Sequence, residues 1–157
     1  MRELGRAMTS TPAEPADPAD LLLEKSLSYG LPADRLFELL VSEESVEHWM
    51  GAEVEIDPAI DGEVRVRVPG WPDVIGRITE MRAPERIRVR WAALDWGGPL
   101  TSTVELHDDA NAGCRLSLRE TGFGADDDLL RRRDWSWSHW LVRLSAAAAQ
   151  LGSPGPR

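Results

Sequence analysis

Two short runs alternate so strictly that a half-buried sheet is the natural reading for them. Glu63-Val-Arg-Val-Arg-Val68 sets three valines on one side and charges on the other. Arg86-Ile-Arg-Val-Arg-Trp91 repeats the device, with three arginines facing water. Successive side chains of a strand point to opposite faces, so a period of two means one dry face and one wet one. Weaker runs surround this pair: Leu23 to Tyr29, Ala52 to Ile56, Val74 to Met81, Thr101 to Leu106 and Cys114 to Glu120. Turn residues divide them, notably Pro69-Gly-Trp-Pro72, Pro84, Gly97-Gly-Pro99 and the loop Asp108 to Gly113. Short consecutive strands joined by turns predict an antiparallel meander.

A sheet with one dry face needs a cover. Asp126 to Asp128 place carboxylates where a helix N-terminus favours them. Leu130, Trp137, Leu141, Leu144, Ala148 and Leu151 then recur at roughly helical steps, which predicts about twenty helical residues with one apolar stripe. Two short helices follow the first strand. Pro32 suits the first turn of one, with Leu36, Phe37, Leu39 and Leu40 as its stripe. Ser42 suits the N-cap of the other, which ends near Trp49-Met50-Gly51. The expected fold class is α+β: a curved antiparallel sheet wrapped around a long C-terminal helix, with two short helices after the first strand and an apolar cavity between layers.

The chain has 157 residues, enough for one domain with a real core. The expected limits are a disordered leader over residues 1–19, a single domain over 20–151 and a flexible tail over 152–157. The leader carries three prolines among small and acidic residues, and Met8 is an alternative start to Met1. A net charge of −9 disfavours phosphate backbones and anionic lipid, so neither nucleic acid nor membrane is an expected partner. Cys114 is the only cysteine, which excludes an internal disulfide and fits a cytoplasmic setting. The leader lacks the apolar core of a signal peptide. Lys25 stands alone among eighteen basic residues, a bias typical of a GC-rich bacterial genome.

The order of these pieces resembles a known family. Its carriers are Pro32-Ala-Asp-Arg-Leu-Phe-Glu-Leu-Leu40, Val46-Glu-His-Trp49, Asp61-Gly-Glu-Val-Arg-Val, Gly76-Arg-Ile-Thr-Glu80, Arg86 to Trp91, Gly113 to Phe123, and Trp137-Ser-His-Trp-Leu141 with Leu144. Together they are similar to the bacterial branch of the family named after the activator of the heat-shock protein 90 ATPase, within the START-like (SRPBCC) superfamily. The resemblance implies the helix-grip fold, a stress-response setting, a homodimer and a chaperone as candidate partners. Two positions depart from it: Asp61 and Ser136 stand where glycine is usual. The eukaryotic activator's separate N-terminal domain has no counterpart here, so the resemblance does not bring its chaperone-stimulating role.

Candidate residues follow from the cavity. Its expected walls are Val64, Val66, Val68, Trp91, Leu116 and Leu118, with Trp137 and Leu141 as a helical lid. Trp49, Trp71 and Trp96 are further ligand-binding candidates, because large rings at a cavity mouth stack on flat apolar molecules. Core packing already accounts for Trp91 and Trp137; it accounts less for Trp71 and Trp96, which lie in turns. Glu120 shares parity with Leu116 and Leu118, so it points inward, and an inward carboxylate in an apolar pocket would keep its proton and could serve as acid or base. Glu80 similarly shares parity with Gly76 and Ile78; either carboxylate faces inward only where its strand stays regular, since each sits at a strand end that a bulge or water can reach. His139 is the second catalytic candidate. His48, His107 and His139 have no ligand spacing, so no metal or other cofactor is expected. Arg131-Arg132-Arg133 fits pairing with Asp126 to Asp128, or an anionic ligand.

Three functional readings follow, in order. The first is a binding protein for a small apolar or amphipathic molecule. The second is a cyclase- or hydrolase-like enzyme that uses Glu120 or His139 in the same cavity. The third is a chaperone-associated interaction module.

Overall fold

The structure, a computed structural model, describes residues 20–110 and 112–152. The leader and tail expected at the two ends lie outside the described residues, apart from Gly152. In chain order the elements are β1 (Leu23–Tyr29), α1 (Ala33–Val41), α2 (Glu43–Met50), β2 (Glu53–Ile56), β3 (Glu63–Arg67), β4 (Val74–Arg82), β5 (Arg86–Ala92), β6 (Leu100–Asp108), β7 (Cys114–Thr121) and α3 (Asp127–Gly152). The seven strands form one antiparallel sheet in the order β1-β7-β6-β5-β4-β3-β2. This is the expected helix-grip arrangement, with α3 packed on the dry face.

The valine and arginine strands behave as their alternation requires. Val64 and Val66 are buried in β3, and Ile87, Val89 and Trp91 in β5. Gly76 lies opposite Trp91 on β4. A Cβ at Gly76 would sit 2.6 Å from the Trp91 ring, so the absence of a side chain there lets the indole lie flat on the neighbouring strand. A bulge between Ile78 and Glu80 reverses the parity of β4. Glu80 therefore faces outward and pairs with Arg82, Arg86 and Arg88.

Asp61 occupies a left-handed conformation with φ 67°. That explains why glycine suits the position, and why aspartate, among the residues most tolerant of it, can replace glycine. The adjacent Gly62 admits no side chain at all, since a Cβ would fall 2.0 Å from the Asp57 carbonyl oxygen.

The helices start slightly differently from the expectation. Pro32 is the N-cap of α1, one place ahead of the helix. Ser42 is the N-cap of α2 but its hydroxyl closes no cap hydrogen bond; Glu43 and Glu44 supply the favourable charge instead. Acids of α2 also cover a sheet edge. Glu47 and Glu43 accept hydrogen bonds from the Val54 and Ile56 amides of β2. At the other end of α2, Arg143 of α3 donates to the His48 and Trp49 carbonyls at 2.7 and 3.1 Å.

α3 begins with a true cap, the Leu129 amide donating to Asp126 Oδ1 at 3.0 Å. It runs for 26 residues. Its buried row is Leu129, Arg133, Trp137, Leu141, Leu144 and Ala148. This corrects the expected stripe at both ends: Leu130 is only half-buried and Leu151 is exposed. Stepping back four residues from Trp137 reaches Arg133 and then Leu129, and the arginine disguises the row as it is read in sequence.

Candidate functional site

The two ends of α3 meet the sheet differently. Toward its C-terminus, Leu141, Leu144 and Ala148 pack without a gap on the sheet, and the Tyr29 hydroxyl donates to the Leu141 carbonyl at 3.1 Å. Toward its N-terminus the helix stands off, and a half-open cleft of 380 Å³ separates it from β3, β4 and the β5–β6 loop. That volume is in the range of small-molecule sites. Five tryptophans line it: Trp71 from the β3–β4 turn, Trp91 from β5, Trp96 from the β5–β6 loop, and Trp135 and Trp140 from α3. Val66, Val68, Val74, Met50 and Leu129 complete the apolar wall. Trp71 is 59% exposed and Trp135 65%, values that core packing does not account for.

Beneath the cleft lies a buried polar network. Glu120 points inward, as its parity requires, and is 0% exposed. It is not the lone carboxylate in an apolar pocket that the sequence suggested. Arg133 grips it side-on, Nε donating to Oε1 at 2.9 Å and Nη2 to Oε2 at 2.8 Å. Trp137 Nε1 donates to Oε2 at 3.1 Å, and the hydroxyl of Ser102, its cross-strand neighbour, donates to the same oxygen. Ser102 in turn accepts from Trp91 Nε1 at 2.9 Å. A carboxylate that accepts four hydrogen bonds, one pair from a guanidinium, is occupied as an acceptor. It is placed to anchor Arg133 and, through Ser102, to orient Trp91. It does not line the cleft.

Arg133 joins the two layers. Its far side meets the cleft, where its guanidinium lies 5.1 Å from the Trp96 ring centre and 5.5 Å from that of Trp140. The side-on grip of Glu120 commits Nε and Nη2. Trp140 also packs edge-on against Trp137 and Trp49, with ring centres 5.0 and 6.4 Å away. The aromatic wall is thus continuous from the core to the mouth.

The candidate residues divide into three groups. Val66, Trp71, Trp91 and Trp96 line the cleft, as does Val68. Val64, Trp49 and Trp137 border a separate void of 50 Å³ behind Trp91. Leu116, Leu118 and Leu141 are solid core, each at most 1% exposed, and reach neither space. His139 is exposed on the outer side of α3, where it stacks on Trp135 at 4.0 Å and its Nδ1 lies 2.9 Å from the Trp135 carbonyl oxygen. It does not meet Glu120, which is buried on the sheet side of the helix. The arginine run splits three ways. Arg131 pairs with Asp127 and Asp128 as expected, Arg132 reaches Asp95 and Asp128, and Arg133 turns inward. Sequence reading missed Ser102, Trp140 and the cleft face of Arg133. Among the described residues no cluster of His, Cys, Asp or Glu could hold a metal ion, and no helix is long and apolar enough to cross a membrane.

Comparison with known proteins places this geometry. Residues 30–149, well over half of the chain, match the family described as Activator of Hsp90 ATPase homolog 1-like protein. The chain belongs to that family. As a member of the Activator of Hsp90 ATPase homolog 1-like family it shares its fold with solved structures at low identity. An HSP90 activator from Plasmodium falciparum superposes with a TM-score of 0.71 at 22% identity, covering 85% of this chain and 97% of that one. CalU16 from Micromonospora echinospora gives 0.68 at 18%, covering 88% and 81%. The Aha1 dimer from Colwellia psychrerythraea gives 0.73 at 12%, covering 85% and 99%. At such identities the likeness concerns the fold. No curated protein matches the chain.

Proposed function

We propose that this protein is a small-molecule carrier or sensor that holds a flat apolar or amphipathic ligand in the tryptophan-lined cleft. The observation that carries the reading is the exposure of Trp71 and Trp135 around a 380 Å³ apolar space. Leaving two indoles largely in water forfeits burial that the fold could otherwise use, whereas a stacked ligand would recover it. Catalysis receives less support. Glu120 is sealed beneath Arg133 and Trp137, and His139 lies outside the cleft, so neither sequence-derived acid–base candidate can touch a molecule bound there.

The test is an equilibrium titration with the neutral fluorophore N-phenyl-1-naphthylamine. The wild type should bind it with quenching of tryptophan emission. Trp71→Ala should weaken binding by about 2- to 12-fold, the worth of one aromatic stacking contact. Because Trp71 is exposed, its stability should stay within about 0.5 kcal/mol of wild type. Equal affinity in wild type, Trp71→Ala and Trp96→Ala would refute the site.

A further inference from the structure

The chain carries a net charge of −9, yet the charged residues lining the cleft are three arginines and one aspartate. Two of these arginines already have committed acidic partners on the side away from the cleft: Arg131 with Asp127, and Arg133 with Glu120. Arg132 differs. Its Nη1 donates to Asp95 Oδ2 at 3.1 Å, and Asp95 itself lines the cleft from the β5–β6 loop. Its guanidinium lies 5.7 Å from the ring centre of Trp71 on the opposite wall. Its Nε is shielded from solvent and has no hydrogen-bond partner among the described residues; the nearest acid, Asp128, is 3.7 Å away, an ion pair beyond hydrogen-bond length.

A guanidinium is built to hold a carboxylate or similar anion with two parallel donors. Here only one edge is in use, by a single oxygen of a half-exposed aspartate, and a shielded donor is left over. The capacity of this guanidinium for a two-oxygen anion is therefore only partly used by the protein's own acids. The arginine also spans three walls of the cleft: α3, the β3–β4 turn through Trp71 and the β5–β6 loop through Asp95. An anionic group arriving between the rings would meet Arg132 at the mouth while its aromatic part lay against the tryptophans.

We propose that the cleft selects aromatic ligands that bear an anionic group, and that Asp95 is an internal competitor which the ligand's anion displaces from Arg132. The inference rests on the binding reading above and adds ligand class to it. Asp95 then acts as a stand-in anion: it keeps Arg132 aligned in the free protein and yields to a better-placed acid. The pair is half-exposed, so displacing it is cheap relative to a buried pair.

The test uses two probes with the same aromatic scaffold, 8-anilinonaphthalene-1-sulfonate and neutral N-phenyl-1-naphthylamine. The readout is the ratio of their dissociation constants in wild type, Asp95→Asn and Arg132→Gln, with thermal melts confirming that each variant is folded. Removing the competitor should shift the ratio at least threefold toward the sulfonate. Removing Arg132 should shift it at least threefold the other way. A structural role for the pair would move both variants in the same direction. If both probes bind at the Trp71 site but the ratio stays fixed or the two variants agree in sign, anion selection is overturned and the binding reading stands. If neither probe responds to Trp71→Ala, the site itself is wrong and the anion inference falls with it.

Discussion

Replacing Glu120 by glutamine should unfold a large part of the margin on which this protein stands. The amide keeps the shape of the side chain and removes its charge. Arg133 remains, 6% exposed, at the floor of the cleft. Whichever way the amide turns, its NH2 meets a donor: Arg133 Nε on one side, or Arg133 Nη2, the Ser102 hydroxyl and Trp137 Nε1 on the other. Breaking a buried ion pair from one side costs about 3–5 kcal/mol, because a desolvated charge is left behind. For a domain of this size each kcal/mol lowers Tm by about 2–4 °C, so the melt should fall by about 6–20 °C. Urea titration gives the free energy directly, provided the slope matches wild type. The double variant Glu120→Gln/Arg133→Met removes the orphaned charge as well, and should recover at least half of the loss. A single variant within about 1 kcal/mol of wild type, a figure typical of an ordinary hydrogen bond rather than a stranded charge, would refute this account. So would a double variant no more stable than the single one.

Other perturbations test the frame around the site. Gly76→Ala would drive a methyl to within 2.6 Å of the Trp91 ring, and should cost about 1–3 kcal/mol while changing the near-UV circular dichroism of the tryptophans; an unchanged spectrum would refute the flat stacking of Trp91. Burial pushes the Cys114 thiol from 9.0 up to about 11, with help from Asp108 and Asp109. The folded state then keeps a proton that the unfolded state releases, so this contribution is intact below pH 9 and is lost as pH rises toward 11. Urea midpoints should fall across that window more steeply in wild type than in Cys114→Ala, and parallel declines would count against it. At pH 8 a thiol reagent should label native Cys114 only as fast as the protein opens.

What could be read from sequence followed period and turn chemistry. The sheet was legible because Val64, Val66, Ile87, Val89 and Trp91 alternate with charges, and the prolines and glycines between strands mark the corners. The buried row of the helix was legible from Trp137 to Ala148. Its first two turns were not, because a buried arginine looks the same in sequence as a solvated one; only the inward parity of Glu120, one strand away, hints that Arg133 has a partner in the core. The same blindness affected Glu120 itself. Its direction follows from alternation, but whether it stands alone depends on a contact thirteen residues on, across a turn whose geometry no local pattern reveals. The cleft was half legible. Trp71 and Trp96 stand out because they occupy turns, whereas Leu116 and Leu118 share a face with the cavity-lining residues and yet lie under the part of α3 that packs tight. Where along its length a helix lifts from a sheet depends on side-chain volumes from both layers, which no single stretch of chain records.

The position of β1 bears on how the chain is made. Leu23 pairs with Glu120 at the edge of the sheet, so the first strand finds its neighbour only 97 residues later, counting from 23 to 120. At about 5–20 residues per second of synthesis, it waits about 5–20 s before β7 exists. A bare strand in that interval is a template for the wrong partner. Lys25 lies in the middle of β1 on the face shared by Leu23 and Tyr29, and in the finished fold its ammonium group reaches Asp134 on α3 at 2.5 Å. Two nascent strands stacked face to face would bury that charge twice with nothing to neutralise it. The one lysine in the chain thus ties the edge strand, made first, to the helix that is translated last.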